Sequence, residues 1–99
     1  MKAIVEDQPC GYVTKIEVKN ENGKAVVSVE SECDSVQRYG DNLSPLGVKD
    51  VLAKIPENPV YRLADIRHST CIVPWMILKL AEIELGLNVE KFFEFEIEK

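Results

Sequence analysis

Two segments of alternating character dominate the first third of the chain, at residues 12–19 and 25–32. Both are rich in Val, Ile and Thr, the residue types that pack well on a pleated surface. Asn22-Gly23 stands between them, and an Asn-Gly pair is the strongest short hairpin signal because both residues accept the positive φ of a type I′ turn. The pattern therefore predicts an antiparallel hairpin over residues 12–32.

The turn also predicts the register of the hairpin, because a two-residue loop fixes which residues face each other. Ile16 lies opposite Val29 on an apolar face. Lys15 lies opposite Glu30 on the other face, where the two charges attract. A slip of one residue would destroy both matches, so the pattern favours this register over its neighbours.

The predicted register places two cysteines near each other. Tyr12 falls opposite Cys33, and Cys10 shares the same face if the first strand extends that far. Diagonal neighbours of this kind lie about 7–8 Å apart at the backbone. We therefore expect Cys10 and Cys33 to meet at one end of the hairpin, with Gly11 marking a bulge or bend.

The first helical pattern follows the hairpin directly. Residues 34–39 are predicted to form a short helix, with Ser31 or Asp34 as its cap and Gly40 at its end. Cys33 then stands at the start of this helix, where the first backbone N–H groups have no partner within the helix.

Two further helix starts carry a proline. Ser44-Pro45 and Asn58-Pro59 both have the order of an N-cap followed by the first helical residue. Behind Ser44-Pro45, apolar residues recur at i, i+3, i+4 and i+7, the spacing of one helical face, until Pro56 ends the helix. These residues are Val48, Val51, Leu52 and Ile55. Behind Asn58-Pro59, the apolar residues are Val60, Leu63 and Ala64.

The last helical pattern is the most apolar part of the chain. It covers residues 73–85, with Pro74 in the first turn and Gly86 at the position just after the helix. Apolar residues occupy most sides of it, so we expect this helix either at the centre of the core or in a homodimer interface.

The ends of the chain supply candidates for further strands. Residues 93–98 alternate between apolar and acidic side chains, as in a half-buried strand, and residues 2–6 could add another. The sequence thus predicts one α+β domain over residues 1–99. Its antiparallel sheet would have three to four strands, the hairpin plus the C-terminal strand, packed by three to four helices.

Composition and charge narrow the function classes. The chain has 99 residues, enough for one domain with a core, and a net charge of −5. An acidic protein repels phosphate backbones, and no cluster of Lys and Arg offsets this, so we expect no nucleic-acid partner. The sequence has no signal-peptide pattern and no apolar run of membrane-spanning length, so we expect a cytoplasmic protein with no membrane partner.

The candidates for chemistry are three cysteines: Cys10, Cys33 and Cys71. An odd number cannot all be used in intrachain disulfides, and a reducing compartment keeps thiols free or metal-bound. Cys33 and Cys71 each stand just before a predicted helix, where unpaired N–H groups and the helix dipole would stabilise a thiolate.

A histidine extends this set. His68 lies three residues before Cys71, and a turn there would let the imidazole and the thiol hold one ion. Cys10, Cys33, Cys71 and His68 together form a Cys₃His set, a known composition for tetrahedral zinc. Three cysteines can also hold an iron–sulfur cluster, with the fourth iron open or bound by His. The set predicts a zinc or iron–sulfur site, although it contains no C-x-x-C pair.

Two other interpretations stay open. In one, Cys71 is a low-pKa thiolate that serves as a redox thiol or a nucleophile, with His68 as its base. In the other, the cysteines are inert and buried, and the domain is a structural or dimeric interaction module. No Arg follows Cys71 in a phosphate-binding loop and no glycine-rich phosphate motif occurs, so neither phosphatase nor nucleotide chemistry is indicated. The balance favours a binding domain over an enzyme.

Three short motifs contain all the candidate residues. They are Cys10-Gly11-Tyr12-x-Thr14, Ser31-x-Cys33 and His68-x-Thr70-Cys71-x-Val73-Pro74. In this order the chain resembles a small family of uncharacterised proteins from anaerobic microbes. Many of its members carry Pro after the second and third cysteines, where this chain has Asp34 and Ile72. The resemblance implies that the three cysteines and the histidine form the signature of that family, and it implies no established activity.

Overall fold

The computed structural model describes residues 1–92 and 94–99. Within them the chain forms three strands and four helices in an α+β arrangement, which confirms the predicted fold class. The strands are β1 (Lys2–Val5), β2 (Thr14–Glu21) and β3 (Lys24–Ser31). The helices are α1 (Asp34–Asp41), α2 (Val48–Leu52), α3 (Pro59–Arg62) and α4 (Val73–Glu84).

β2 and β3 form the predicted hairpin in the predicted register. Ile16 pairs with Val29 on the inner face, and the charged residues of the outer face pair as expected. Asn22 and Gly23 form the turn with positive φ values of 54° and 82°. Because the pairing follows the apolar alternation, the hairpin turns one complete face toward the core.

The third strand comes from the N-terminus. β1 pairs antiparallel with β2, and the strand order is β1-β2-β3. The expected C-terminal strand is wrong for residues 94–98, which are exposed and adopt no strand, while Phe93 lies outside the described residues. Alternation shows that a segment is amphipathic, but a strand also needs a neighbouring edge with unpaired backbone groups.

The outer edge of β3 does not offer a row of unpaired backbone groups to a further strand. Leu46 exchanges two backbone hydrogen bonds with Ala25, at 2.8 and 2.9 Å. Farther along the strand, the side-chain amide of Gln37 donates to the Val29 carbonyl and accepts from the Ser31 N–H, both at 2.8 Å. The edge of β3 is therefore already engaged by the chain that follows it.

The pairing of Leu46 also explains why the second helix starts late. The sequence predicts a start at residues 44–45, but α2 begins at Val48, with Gly47 as its N-cap. A residue that pairs with a strand edge must be extended, so Leu46 cannot be helical. A tertiary contact here overrides a sound local start signal.

The apolar face predicted for this helix lies mostly in solvent. Val51 is buried, whereas Leu52 and Ile55 are 62% and 68% exposed. The helix also ends before Pro56, because Ala53 is already extended with ψ of 144°. A helix rarely continues to the residue before a proline, which clashes with the helical conformation there.

α3 starts where the sequence predicts, at Asn58-Pro59. Asn58 is the N-cap, and its side-chain oxygen accepts the Val60 N–H at 3.0 Å. Its amide group also donates to the carbonyls of Val51 and Ala53, at 3.2 and 3.0 Å. The side chain is buried, so one residue caps the start of α3 and satisfies the end of α2.

α4 ends where the sequence predicts. Gly86 has a positive φ of 73°, and its N–H donates to the Ile83 carbonyl at 3.0 Å. The Leu87 N–H donates to the Glu82 carbonyl at 2.8 Å, which completes a Schellman motif. None of the helices within the described residues is long and apolar enough to cross a membrane.

The core lies between the inner face of the sheet and the helices. α4 packs against β2 through its buried side chains, and α1 packs against β3. The buried residues of α4 are Val73, Pro74, Ile77, Leu80 and Ala81. The expectation of a central apolar helix is therefore confirmed.

Candidate functional site

A cavity of about 180 Å³ lies where three connecting segments meet: the segment before β2, the β3–α1 junction and the segment before α4. The four residues that the sequence predicts as ligands all line it, namely Cys10, Cys33, His68 and Cys71. The fold thus brings together side chains that are far apart in the sequence, and it extends the predicted meeting of two cysteines to three.

Cys33 lies at the junction between β3 and α1, where it is the N-cap residue of the helix. Its N–H donates to the hydroxyl of Ser31 at 3.1 Å, and its carbonyl accepts the N–H of Gln37 at 2.9 Å. Its Sγ lies 3.2 Å from the Oγ of Ser35. The backbone on both sides therefore fixes the thiol at the start of the helix, as the sequence predicts.

Several groups lower the pKa of the Cys33 thiol below its ordinary value. The largest effect comes from the hydrogen bond with the Ser35 side chain, followed by the N–H of Val36. Desolvation opposes these two effects and is the next largest, while the N–H of Ser35 and the positive charge of Arg67 lower the pKa by smaller amounts. The Cys33 side chain forms no capping hydrogen bond with these two N–H groups. We therefore attribute their effect on the pKa to the N–H dipoles at the helix start.

Cys71 closes a turn just before α4. Its N–H donates to the His68 carbonyl at 3.1 Å, so the two residues are joined by a turn. Burial raises the pKa of this thiol, and charges on Cys10 and Cys33 would raise it further, against the attraction of the Val73 N–H. The low-pKa thiolate expected at Cys71 is therefore wrong, because this sulfur loses more by desolvation than it gains from the helix start.

Cys10 lies on a turn instead of on the first strand of the hairpin. The Gly11 N–H donates to the Gln8 carbonyl at 2.9 Å, and Gly11 takes a φ of 76°, which confirms a bend there. β2 begins only at Thr14, so the predicted strand extension and the diagonal pairing of Cys10 with Cys33 are wrong. Cys10 is exposed but still lines the cavity.

Two basic residues complete the rim of the cavity. His68 and Arg67 both line it and are both exposed. Arg67 is close enough to Cys33 for its charge to favour the thiolate. The sequence singles out His68, whereas Arg67 gains a role only because the fold carries the segment before α4 to the start of α1.

The sequence of this domain matches a known family over residues 1–97, described as a family of unknown function, DUF6951. The chain belongs to the DUF6951 family. No curated protein and no solved structure matches the chain. Membership confirms the resemblance to an uncharacterised family, while the anaerobic origin and the signature role of the cysteines and histidine stay predictions.

The DUF6951 domain does not present its four candidate ligands as a formed metal centre. Within residues 1–92 and 94–99, no group of three or more His, Cys, Asp or Glu side chains is placed to hold a metal ion. Cys10, Cys33, Cys71 and His68 therefore border one common space without forming a common coordination sphere.

Besides Arg67, the sequence pattern does not single out two further residues of the site, Ser35 and Gln8. Ser35 carries a local signal, because a serine two residues after an N-cap cysteine lies in the first helical turn, close to the sulfur. Gln8 carries none: its Oε1 lies 3.9 Å from the Sγ of Cys71, a contact between residues far apart in the chain. Local signals find the first residue, and only the tertiary structure finds the second.

The arrangement has a clear chemical capacity. Cys33 favours the thiolate, which is the form of cysteine that attacks disulfides and other soft electrophiles. Two more thiols line the same cavity in this family member. A nucleophilic sulfur that shares a cavity with a second thiol supplies the groups that thiol–disulfide exchange requires.

Proposed function

We propose that this domain is a thiol–disulfide exchange protein in which the Cys33 thiolate attacks a disulfide bound in the cavity. The observation that supports this most is the place of the Cys33 sulfur, 3.2 Å from the Ser35 hydroxyl and in a cavity that Cys10 and Cys71 also line. The hydroxyl and the helix start favour the thiolate, while the cavity gives a small substrate access to it.

The exchange would take two steps. The Cys33 thiolate first attacks one sulfur of the substrate disulfide, forms a new S–S bond and expels the other sulfur as a thiolate. Cys71 then gives its proton to solvent and attacks the Cys33 sulfur, which expels the remaining half of the substrate as a thiolate. The substrate gains two electrons and the protein is left with a Cys33–Cys71 disulfide, which a dithiol reductant returns to the reduced state.

We assign the second step to Cys71 because it lines the same cavity as Cys33 and is partly buried there, whereas Cys10 is exposed. Its raised pKa suits this role, since a protonated and partly buried thiol does not compete with Cys33 for the substrate. Once deprotonated, a thiol of higher pKa is also the stronger nucleophile.

Trapping of the mixed disulfide tests the proposal. Full-length Cys71→Ser protein treated with dithiodipyridine is expected to keep one substrate half on Cys33, detected by intact mass and peptide mapping. Wild-type protein is expected to lose the adduct and form an internal disulfide, and the matched Cys10→Ser variant is expected to do the same. A stable adduct on Cys33 in the wild type, or labelling of all three cysteines at one rate, would overturn the proposal.

The placement of the thiols favours chemistry over an inert role. Inert cysteines usually fill space in a core. Here Cys10 is exposed, and Cys33 and Cys71 are partly buried and line the cavity. A structural role would leave this convergence of three thiols without a reason.

A second candidate function is the binding of zinc or an iron–sulfur cluster by Cys10, Cys33 and Cys71, with His68 as a fourth ligand. The observation in its favour is that one cavity is lined by all four residues. The thiols would have to move together on binding, and Gly11 beside Cys10 permits such a backbone rearrangement.

Metal analysis of protein purified under anaerobic conditions tests this second candidate. Zinc, or iron with matching sulfide, is expected at about half an equivalent or more, and at a much lower level in Cys33→Ser protein. A wild-type content below about a tenth of an equivalent of any transition metal would sink the idea.

A further inference from the structure

We infer that the cavity selects an anionic substrate for Cys33: a small disulfide that carries carboxylate, sulfonate or phosphate groups. This inference rests on the proposed thiol–disulfide exchange and adds the charge class of the substrate. It is carried by a contrast in charge between the cavity and the rest of the chain.

The domain as a whole is acidic. It has 17 Asp and Glu residues against 12 Lys and Arg, with a net charge of −5. None of the residues that the structure describes around the cavity is Asp or Glu, whereas Arg67 and His68 both line it. The cavity is therefore a neutral to positive patch on a protein that otherwise repels anions.

Acidic residues close by in the sequence do not change this balance. Asp7, Glu32, Asp34 and Asp65 each neighbour a residue that lines the cavity, but all four are exposed and lie outside its lining. The carboxylate of Glu32 accepts the backbone N–H of Val13 at 2.8 Å, which holds it at the end of the sheet. The cavity keeps its own charge character despite these neighbours.

Arg67 links the charge of a substrate to its reaction. The residue is exposed on the rim of the cavity, and its charge reaches the sulfur of Cys33. A substrate in contact with Cys33 is then also within reach of Arg67, because charges act over about 8–10 Å at physiological salt. The guanidinium can hold a carboxylate or sulfonate through paired hydrogen bonds, and it repels an ammonium group.

The helix start adds to this effect. The N–H groups of Ser35 and Val36 carry partial positive charge toward the Cys33 sulfur. They also attract the negative charge that is spread over the three sulfurs during the exchange. Arg67 therefore attracts an anionic substrate as it approaches, and the N–H groups at the start of α1 stabilise the charge that develops during the exchange.

Rate constants for three matched disulfides test the inference on full-length protein. Dithiodipropionate is anionic, hydroxyethyl disulfide is neutral and cystamine is cationic, and all share a two-carbon spacer. Each rate constant for Cys33 is divided by that of free thioglycerol, an uncharged thiol, to remove intrinsic reactivity. We expect the normalised rate for dithiodipropionate to exceed that for cystamine by about tenfold or more at low salt.

Variants of two arginines locate the effect. Arg67→Gln is expected to reduce the anion-to-cation ratio about fivefold, and Arg67→Lys to keep most of it. Arg62→Gln is the matched control, because Arg62 is an exposed arginine outside the lining of the cavity. A change in the pKa of Cys33 cancels in the ratio, since both substrates meet the same thiolate.

The wild-type protein provides a second measurement that needs no variant. The anion-to-cation ratio is expected to fall toward one as ionic strength rises from about 0.02 M to about 0.5 M. A ratio near one at low salt, or an equal loss in Arg67→Gln and Arg62→Gln, would overturn the inference alone. Reaction of Cys33 no faster than thioglycerol with all three disulfides would overturn the proposed function itself, and this inference with it.

Discussion

The Sγ of Cys33 lies 3.2 Å from the Oγ of Ser35, two residues later in the first turn of α1. The hydroxyl is the largest of the influences that lower the pKa of the thiol. A strand end, a helix start and one serine thus combine to favour the thiolate at Cys33.

Replacing Ser35 by alanine should raise the pKa of Cys33, because the hydroxyl no longer stabilises the thiolate. The rate of alkylation of Cys33 by iodoacetamide at pH 7 should then fall by about two- to tenfold. Alkylation as a function of pH, followed by peptide mass spectrometry, gives both the rate and the pKa.

Ser28→Ala serves as the control, since Ser28 is exposed on β3 and lies outside the cavity. It should leave the pH profile of Cys33 unchanged. An unchanged profile in Ser35→Ala as well would show that the helix amides alone set the reactivity.

Cys33 and Cys71 should separate along the pH axis. The pKa of Cys33 is lowered and that of Cys71 is raised, so as pH falls Cys71 is protonated first and Cys33 last. Near neutral pH an alkylating agent should therefore modify Cys33 first, and Cys71 should approach its rate only as the pH rises above the ordinary cysteine pKa of about 8.5.

This order is measured on the folded chain, with urea-unfolded chain as the reference. In urea the two thiols should titrate together near the ordinary value of about 8.5. Faster labelling of Cys71 than of Cys33 at pH 7 in the folded protein would contradict the assignment of their roles.

Gly40→Ala should destabilise the fold, although alanine is the better helix former. A Cβ at Gly40 would lie 2.7 Å from Cγ2 of Val29, because α1 crosses β3 closely at this point. Helix propensity favours alanine by about 1 kcal/mol, whereas forcing a group into a packed core costs about 1–3 kcal/mol. We expect a net loss of up to about 2 kcal/mol in the free energy of unfolding, measured by urea denaturation.

Gly47→Ala is the matched control for this measurement. A Cβ there would have Oδ2 of Asp50 at 3.7 Å as its nearest contact, which is ordinary packing. The change in unfolding free energy should stay within about 0.5 kcal/mol. Equal effects at the two glycines would contradict the close crossing of α1 over β3.

Tyr39→Phe should lower stability at neutral pH and reduce its loss at alkaline pH. The buried hydroxyl of Tyr39 donates to the Val60 carbonyl at 2.6 Å, and burial raises the pKa of the phenol. Removing the hydroxyl leaves the buried Val60 carbonyl without this hydrogen bond, which lowers the free energy of unfolding by about 1–3 kcal/mol.

The sign of the pH effect follows from the raised pKa. The contribution of Tyr39 is fully present below the unfolded pKa of about 10 and is lost as pH rises above it. The unfolding free energy of the wild type should therefore fall more steeply above pH 10 than that of Tyr39→Phe. The control is Tyr12→Phe, at an exposed position, whose unfolding free energy should fall with pH as in the wild type. If Tyr39→Phe also falls as steeply as the wild type, the buried phenol is not the cause of the alkaline loss of stability.

The amino-acid sequence alone determined the parts of this domain that depend on neighbours along the chain. Asn22-Gly23 set the hairpin and its register, Asn58-Pro59 began α3, and Gly86 ended α4. Turn and capping preferences act within a few residues, so the pattern carries enough information to predict them.

Only the tertiary structure decided the features that depend on distant contacts. The pairing of Leu46 with β3 shortened α2, and the alternating C-terminal residues 94–98 formed no strand. At the site, the sequence predicted both Cys33 and Cys71 at helix starts, and it favoured Cys71 as the low-pKa thiolate. Burial raises the pKa of Cys71 instead of lowering it, while Ser35 and Arg67 lower the pKa of Cys33. Desolvation and charge are set by what the rest of the chain places nearby, which a local pattern does not contain.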